Sequence, residues 1–261
     1  MEKPKVLILA PCGIRVLAML GAIRVLKEKH FLDEIDEYIG VSAGAIVSMY
    51  LACNIPIDEI ISHIFSQNFI QEIELDNFFE RRGFVSKERV SERLSAILPN
   101  RDIKFKDLDK SVTVVAFNIT KMKPEYFNRT TTPDLSVVEA VSMSISIPLI
   151  FEEHKWNDCV YIDGGVGNNY PCELCNGRPG LGIRLETNFN HEKSTIENLM
   201  RLFSYVMADL EQKRQQLSEK MVHIVIRTDI EGSAVVHAND NKKIELIKVG
   251  CSAAEKWLSE S

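Results

Sequence analysis

Apolar positions along the chain follow two rhythms, alternating short continuous runs with helical spacing. Val6 to Ala10 is a continuous apolar run, and Lys5 to Ala10 reads as a buried strand. A tight turn follows, Pro11-Cys12-Gly13-Ile14-Arg15, and then Val16, Leu20, Ile23 and Leu26 recur at helical spacing up to Lys29. Residues 36–41 form a second strand, ending in Tyr38-Ile39-Gly40-Val41, and Ala45, Ile46, Val47, Met49, Leu51 and Ala52 begin a second helix. Pro56 opens a stretch of large apolar residues: Ile57, Ile60, Ile61, Ile64, Phe65, Phe69, Ile70, Ile73, Leu75, Phe78 and Phe79. These read either as helices packed on the core or as a partly exposed apolar rim. Ser86 caps a helix running to about Leu98, and Pro99-Asn100 stops it.

Val112 to Thr120 is a β-branched strand, and Tyr126-Phe127 continues it as a hairpin. Ser136-x-x-Glu139 is a capping box for a helix through Met143, closed off by Pro148. Asn157-Asp158 is a turn, and the strand Cys159–Ile162 runs into Asp163-Gly164-Gly165. Leu181–Leu185 and Met221–Arg227 are further strands. Between them, Ser194-x-x-Glu197 caps a long helix with Ile196, Leu199, Phe203, Val206 and Leu210 on one face. Ile244, Ile247, Cys251, Ala254 and Leu258 line the last helix. Strands alternating with helices predict an α/β fold with a mostly parallel central sheet flanked by helices. No linker, repeat or low-complexity stretch interrupts the pattern, so one domain is expected over residues 1–261.

Composition changes this picture little. The 261 residues are 45% hydrophobic and 26% charged, ordinary globular values and enough for a full core. The net charge of -6 argues against nucleic acid as a partner, since that partner selects basic patches. The first apolar run is short and is followed by Arg15, so no signal peptide is expected. No run approaches 18 apolar residues, so no membrane-spanning helix is expected, and the expected location is cytoplasmic. The six cysteines are then expected as reduced thiols. Cys172 and Cys175 form a single Cys-x-x-Cys; a structural zinc needs a second pair, so no metal or other cofactor is expected.

The chemistry concentrates at Gly40-Val41-Ser42-Ala43-Gly44. Gly-x-Ser-x-Gly between a strand and a helix is the setting of a nucleophile elbow. The sharp turn projects the hydroxyl outward, and glycines two residues to either side leave room for the turn. The helix start behind Ser42 offers free N–H groups and a positive dipole end to a developing oxyanion. The plain alternative is a tight turn in which these residues serve packing only.

A serine nucleophile needs a base. Of the six histidines, His191, His223 and His237 lie late enough for a Ser-His-Asp order, but none sits in a glycine-rich loop. Asp163 is the other candidate. It ends a strand, and in open α/β sheets the carboxyl ends of strands carry the site. If burial raises its basicity, the carboxylate could take a serine proton directly; taken alone, Asp-Gly-Gly is most often just a turn.

Taken as a set, Pro11-Cys12-Gly13-Ile14-Arg15, Gly40-Val41-Ser42-Ala43-Gly44 and Asp163-Gly164-Gly165 resemble the patatin-like phospholipase family. The flanks agree: Leu20-Gly21-Ala22 with Val25-Leu26, the segment Ala140 to Pro148, and Asn168-Asn169-Tyr170-Pro171. The resemblance covers about residues 5–175 and implies a patatin-like three-layer sandwich. It also implies a phospholipase A type lipid acyl hydrolase. Ser42 would carry the acyl group and Asp163 would be the base. The turn of Cys12 and Gly13, with Arg15, would bind the oxyanion, and Gly40, Gly44, Gly164 and Gly165 would be the motif glycines. The implied substrate is a phospholipid or another acyl lipid, met at a peripheral membrane surface, with Phe65, Phe69, Phe78 and Phe79 as candidate insertion residues.

The sequence departs from the family at one turn. Three consecutive glycines are usual where this chain has Pro11, Cys12 and Gly13, and a glycine where it has Val16. Proline has no N–H to donate. Two alternatives therefore stand beside the hydrolase: a catalytically weak relative that binds lipid or a partner protein, and a general Ser-His-Asp esterase.

Overall fold

The computed structural model describes residues 2–66, 83–187, 220–228 and 239–260. The expected helix after Ser194, the apolar residues Phe69, Ile70, Ile73, Leu75, Phe78 and Phe79, and His191 and His237 lie outside the described residues.

Among the described residues, the centre is an eight-stranded sheet. Strand β1 (Val6–Leu9) is buried along its whole length. It pairs in parallel with β2 (Glu37–Val41) on one side and β9 (Gly180–Thr187) on the other. Parallel pairing continues outward to β10 (Met221–Thr228) beside β9, and to β4 (Ser111–Asn118) beside β2. Strands covered on both faces need continuous apolar runs, which explains the unbroken Val-Leu-Ile-Leu of β1.

Beyond β4 the sheet changes character. β5 (Lys123–Phe127), β7 (His154–Trp156) and β8 (Cys159–Asp163) join through antiparallel ladders. The expectation of a mostly parallel sheet holds from β10 to β4; at the far end the β4–β5 and β7–β8 hairpins and the long-range β4–β8 ladder are antiparallel. Trp156 pairs with Cys159 across Asn157 and Asp158, whose φ values of +47° and +59° suit a two-residue hairpin turn. β3 (Gly83–Val85) and β6 (Leu149–Phe151), each three residues long, form a separate parallel pair.

Helices cover the sheet. α1 (Val16–Glu28) packs closely on the last helix, α6 (Asp240–Glu260). A Cβ at Gly21 would stand 2.3 Å from the Ile247 carbonyl oxygen and one at Gly250 1.8 Å from that of Ala18, so both positions require glycine. α2 (Ala43–Ala52) is buried on every side, which explains its lack of a polar stripe. α3 (Ile57–Ser66) buries Ile60 and Ile64. Phe65 is half-buried against the core, with the Lys243 ammonium 4.9 Å from its ring centre. α4 (Lys87–Ser95) is capped by Ser86, whose hydroxyl accepts from the Arg89 amide, and it ends three residues before Leu98.

The expected capping box at the start of α5 (Val137–Ser144) does not form. Ser136 occupies the cap position without a side-chain bond. The Glu139 carboxylate instead lies 2.8 Å from Nε2 of His154, a histidine only 4% exposed. A buried imidazole competes for the carboxylate more effectively than a solvated backbone amide does.

Candidate functional site

The site begins where β2 stops. Val41 pairs with Val115 of β4, and Ser42 then leaves the sheet with φ +53° and ψ −124°. A non-glycine residue in this region is strained, and such strain accumulates at functional sites. The motif glycines make the turn possible: a Cβ at Gly40 would lie 2.5 Å from Ala45 Cα, and one at Gly44 2.2 Å from the Leu9 carbonyl oxygen. α2 starts at Ala43, directly behind Ser42.

Asp163 arrives from the opposite direction. β8 runs antiparallel to β4 and ends with Asp163 opposite Ala116, the neighbour of Val115. β5 occupies the other edge of β4 over Val114–Asn118, so β2 and β8 share one edge and meet end to end. The Ser42 hydroxyl donates to Oδ2 of Asp163 at 2.6 Å. Oδ1 of Asp163 accepts the Gly165 amide at 2.8 Å, and its own amide donates to the Ser146 carbonyl at 3.0 Å. Ser42 and Asp163 are 7% and 4% exposed.

Burial pushes the Asp163 carboxyl up from 3.8 to about 6, against the opposing pull of the hydrogen bonds from Ser42 and Gly165. The carboxylate is thereby a stronger base than a solvated one while remaining ionised at neutral pH. A carboxylate so placed can accept the serine proton directly.

The turn after β1 lies beside this pair, since a Cβ at Gly165 would stand 3.6 Å from Cγ of Pro11. Cys12 takes φ −149° with ψ 0°, which turns the chain out of β1, and Gly13 takes φ +55°, a left-handed value that suits glycine. The amide and Nε of Arg15 both donate to the Cys12 carbonyl, at 3.2 and 3.3 Å. Arg15 thus holds the turn in shape. Among the described residues, no acceptor takes the amides of Cys12, Gly13 or Ala43.

Each described histidine is engaged away from Ser42. Nδ1 of His223 lies 2.9 Å from the Tyr170 hydroxyl, His63 faces the Arg93 carbonyl, and His30 pairs with Asp33. None of the six cysteines is joined in a disulfide. Among the described residues, no cluster of His, Cys, Asp and Glu has the geometry to hold a metal, and no helix is long and apolar enough to cross a membrane.

Sequence reasoning missed Ser144 and Ser146. The Ser42 amide donates to Oγ of Ser144 at 2.9 Å, and that hydroxyl donates to the Val115 carbonyl at 2.6 Å. The signal was present as three serines at alternate positions, Ser142, Ser144 and Ser146, in an otherwise apolar stretch.

Comparison with known proteins gives a consistent result. The family described as patatin-like phospholipase matches residues 7–175. A probable lipid hydrolase, 463L, of invertebrate iridescent virus 6 is 29% identical over 260 residues, covering 94% of this chain and 86% of the viral protein. Among solved structures, VipD from Legionella pneumophila superposes with a TM-score of 0.68 at 16% identity, covering 99% of this chain and 67% of VipD. The type III effector ExoU of Pseudomonas aeruginosa superposes at 0.55 and 14% identity, covering 99% of this chain and 53% of ExoU. This chain thus spans about half of ExoU, and at these identities the two structures attest the fold.

Proposed function

The chain belongs to the patatin-like phospholipase family, and on that premise we propose that it is a phospholipase A type lipid acyl hydrolase working through Ser42 and Asp163. The observation that carries the proposal is the 2.6 Å bond from the Ser42 hydroxyl to the buried Asp163 carboxylate, made at a strained strand-to-helix turn. The viral relative's description as a probable lipid hydrolase supports an acyl-lipid substrate.

In the proposed reaction Asp163 takes the Ser42 proton as Oγ attacks the ester carbonyl carbon. The oxyanion of the tetrahedral intermediate is received by the amides of Cys12, Gly13 and Ala43, with the start of α2 adding its dipole. Collapse breaks the ester C–O bond, and the leaving alcohol takes the proton from Asp163. Water then gives a proton to Asp163 and attacks the acyl-serine. Release of the fatty acid returns that proton to Ser42. Arg15 acts by shaping the donor turn. The substrate is met at a peripheral membrane surface on the cytoplasmic side.

The test uses phosphatidylcholine vesicles with different acyl chains at the two glycerol positions, together with a fluorophosphonate, a reagent for activated serines. Wild type is expected to release fatty acid and lysophospholipid and to be labelled at Ser42. Failure to cleave any acyl ester, with Ser42 unlabelled in folded protein, overturns the proposal.

A further inference from the structure

The end of β2 contains an inserted side chain. β2 and β4 pair in parallel up to Val41 opposite Val115. The next rung would take the Ser42 amide toward the Val115 carbonyl. Instead the Ser144 hydroxyl lies between them, accepting from the Ser42 amide at 2.9 Å and donating to the Val115 carbonyl at 2.6 Å. Ser144 is fully buried, so no water is at hand to replace it. The inserted hydroxyl separates the nucleophile's backbone from β4 while keeping both groups satisfied. That separation lets the chain swing to φ +53° and leaves the β4 edge free for β8 one residue later.

Two residues on, the same segment holds the other partner, because the Ser146 carbonyl accepts the Asp163 amide at 3.0 Å. The stretch Ser144–Ser146 at the end of α5 therefore grips the backbones of both Ser42 and Asp163. Their side chains must meet within hydrogen-bond distance, and a displacement of about 1 Å can cost on the order of 10²-fold in rate.

We propose that Ser144 is a positioning residue for the nucleophile. Its hydroxyl, bridging the Ser42 amide and the Val115 carbonyl, fixes the elbow at the distance from Asp163 that proton transfer needs. This rests on the Ser42–Asp163 reading above. Ser144 touches no substrate; it acts through the backbone of Ser42. Truncating it therefore lowers the chemical step and leaves substrate binding alone.

The experiment measures kcat and KM on a soluble p-nitrophenyl ester, and the second-order rate of fluorophosphonate labelling, for wild type, Ser42→Ala, Ser144→Ala and Ser144→Cys, each with a thermal melt. Ser144→Ala is expected to lose on the order of 10²-fold in kcat and in labelling rate, with KM unchanged. Ser144→Cys retains a weak donor and acceptor of similar size and is expected to fall between the two. A purely structural role would lower the melting temperature while each folded molecule reacted at the wild-type rate. Wild-type kcat and labelling rate in folded Ser144→Ala overturn the proposal, and if that variant does not fold, wild-type rates in Ser144→Cys do so. Should Ser42→Ala itself keep turnover, the hydrolase reading has failed instead, so the two failures are separable.

Discussion

Ser42 and Asp163 stand 121 residues apart in sequence and 2.6 Å apart in space because their strands meet end to end on one edge of β4. Val115 receives the end of β2 and Ala116 the end of β8. An all-parallel sheet would bring the ends of adjacent strands side by side. The antiparallel entry of β8 points a carboxylate at the hydroxyl instead. The switch in sheet direction beyond β4 is thus the feature of the fold that builds the site.

The first prediction concerns pH. Burial holds the Asp163 carboxyl near 6, and in the proposed reaction it must be ionised to take the serine proton. kcat/KM on a soluble ester is expected to rise through about pH 6 and to stay level above it. A base of this kind gives one acid limb. The check is a rate profile from acid to mildly alkaline pH, repeated for Asp163→Glu, whose longer side chain should lower the plateau.

The second prediction is that Asp163→Asn abolishes turnover and stabilises the protein. The folded pKa of Asp163, about 6, lies above the ordinary aspartate value of 3.8. Its contribution to stability is therefore fully present below pH 3.8 and is lost as pH rises through about 6. A shift of this size corresponds to about 3 kcal/mol against the fold at neutral pH. Asparagine carries no charge to bury and can still accept from the Gly165 amide and donate to Ser42. Thermal melts should show the variant above wild type at pH 8, with the gap closing toward pH 4. A variant less stable than wild type at pH 8 contradicts the burial argument.

Much of this was legible in the sequence. The elbow was readable because strand, Gly-x-Ser-x-Gly and helix are all local, and Asp163 because it ends an apolar strand before two glycines. The direction of β8 was not legible. It depends on pairing with β4, more than forty residues upstream of it, and on the hairpin at Asn157-Asp158. Ser136-x-x-Glu139 misled for a similar reason: the local pattern was right for a cap, but His154 arrives through tertiary packing and takes the carboxylate. Ser144 was invisible as chemistry because its partners, Ser42 and Val115, lie on other elements.

The third prediction separates two adjacent glycines. A Cβ at Gly164 would lie 2.0 Å from the Val115 carbonyl oxygen, a backbone atom held in the sheet. A Cβ at Gly165 would meet Oδ1 of Asp163 at 3.1 Å, a side-chain atom able to give. Gly164→Ala is expected to cost about 3 kcal/mol or more through overpacking. Gly165→Ala should fold nearly as well as wild type but turn over slowly, because the carboxylate has moved. Denaturant titrations and initial rates on the two variants give the comparison.

The fourth prediction concerns His223. Its ring faces the Tyr170 hydroxyl at 2.9 Å and takes no part in the Ser42 site. His223→Ala should lose about 1 kcal/mol of stability with the hydrogen bond and keep wild-type kcat on a soluble ester. Loss of turnover in a folded His223→Ala protein would favour a Ser-His-Asp arrangement over the dyad.

The last prediction concerns the turn after β1. The resemblance to the family implies a glycine where this chain has Pro11, and proline has no N–H to offer there. In the proposed hole the amides of Cys12, Gly13 and Ala43 remain to receive the oxyanion. Removing one such donor typically costs about 10²–10³ in kcat, so restoring one should return part of that factor. Pro11→Gly is expected to raise kcat on a soluble ester. The turn itself should hold, because Arg15 ties it through two bonds to the Cys12 carbonyl. Cys12→Ala keeps its backbone amide and should leave kcat unchanged, which separates the backbone's role from the thiol's. Cys12→Pro is a poor probe, since φ −149° at that position is closed to proline and the change would strain the turn as well as remove the donor. Initial rates for Pro11→Gly and Cys12→Ala, with melts to confirm folding, decide the matter. A folded Pro11→Gly no faster than wild type means that position 11 does not face the oxyanion.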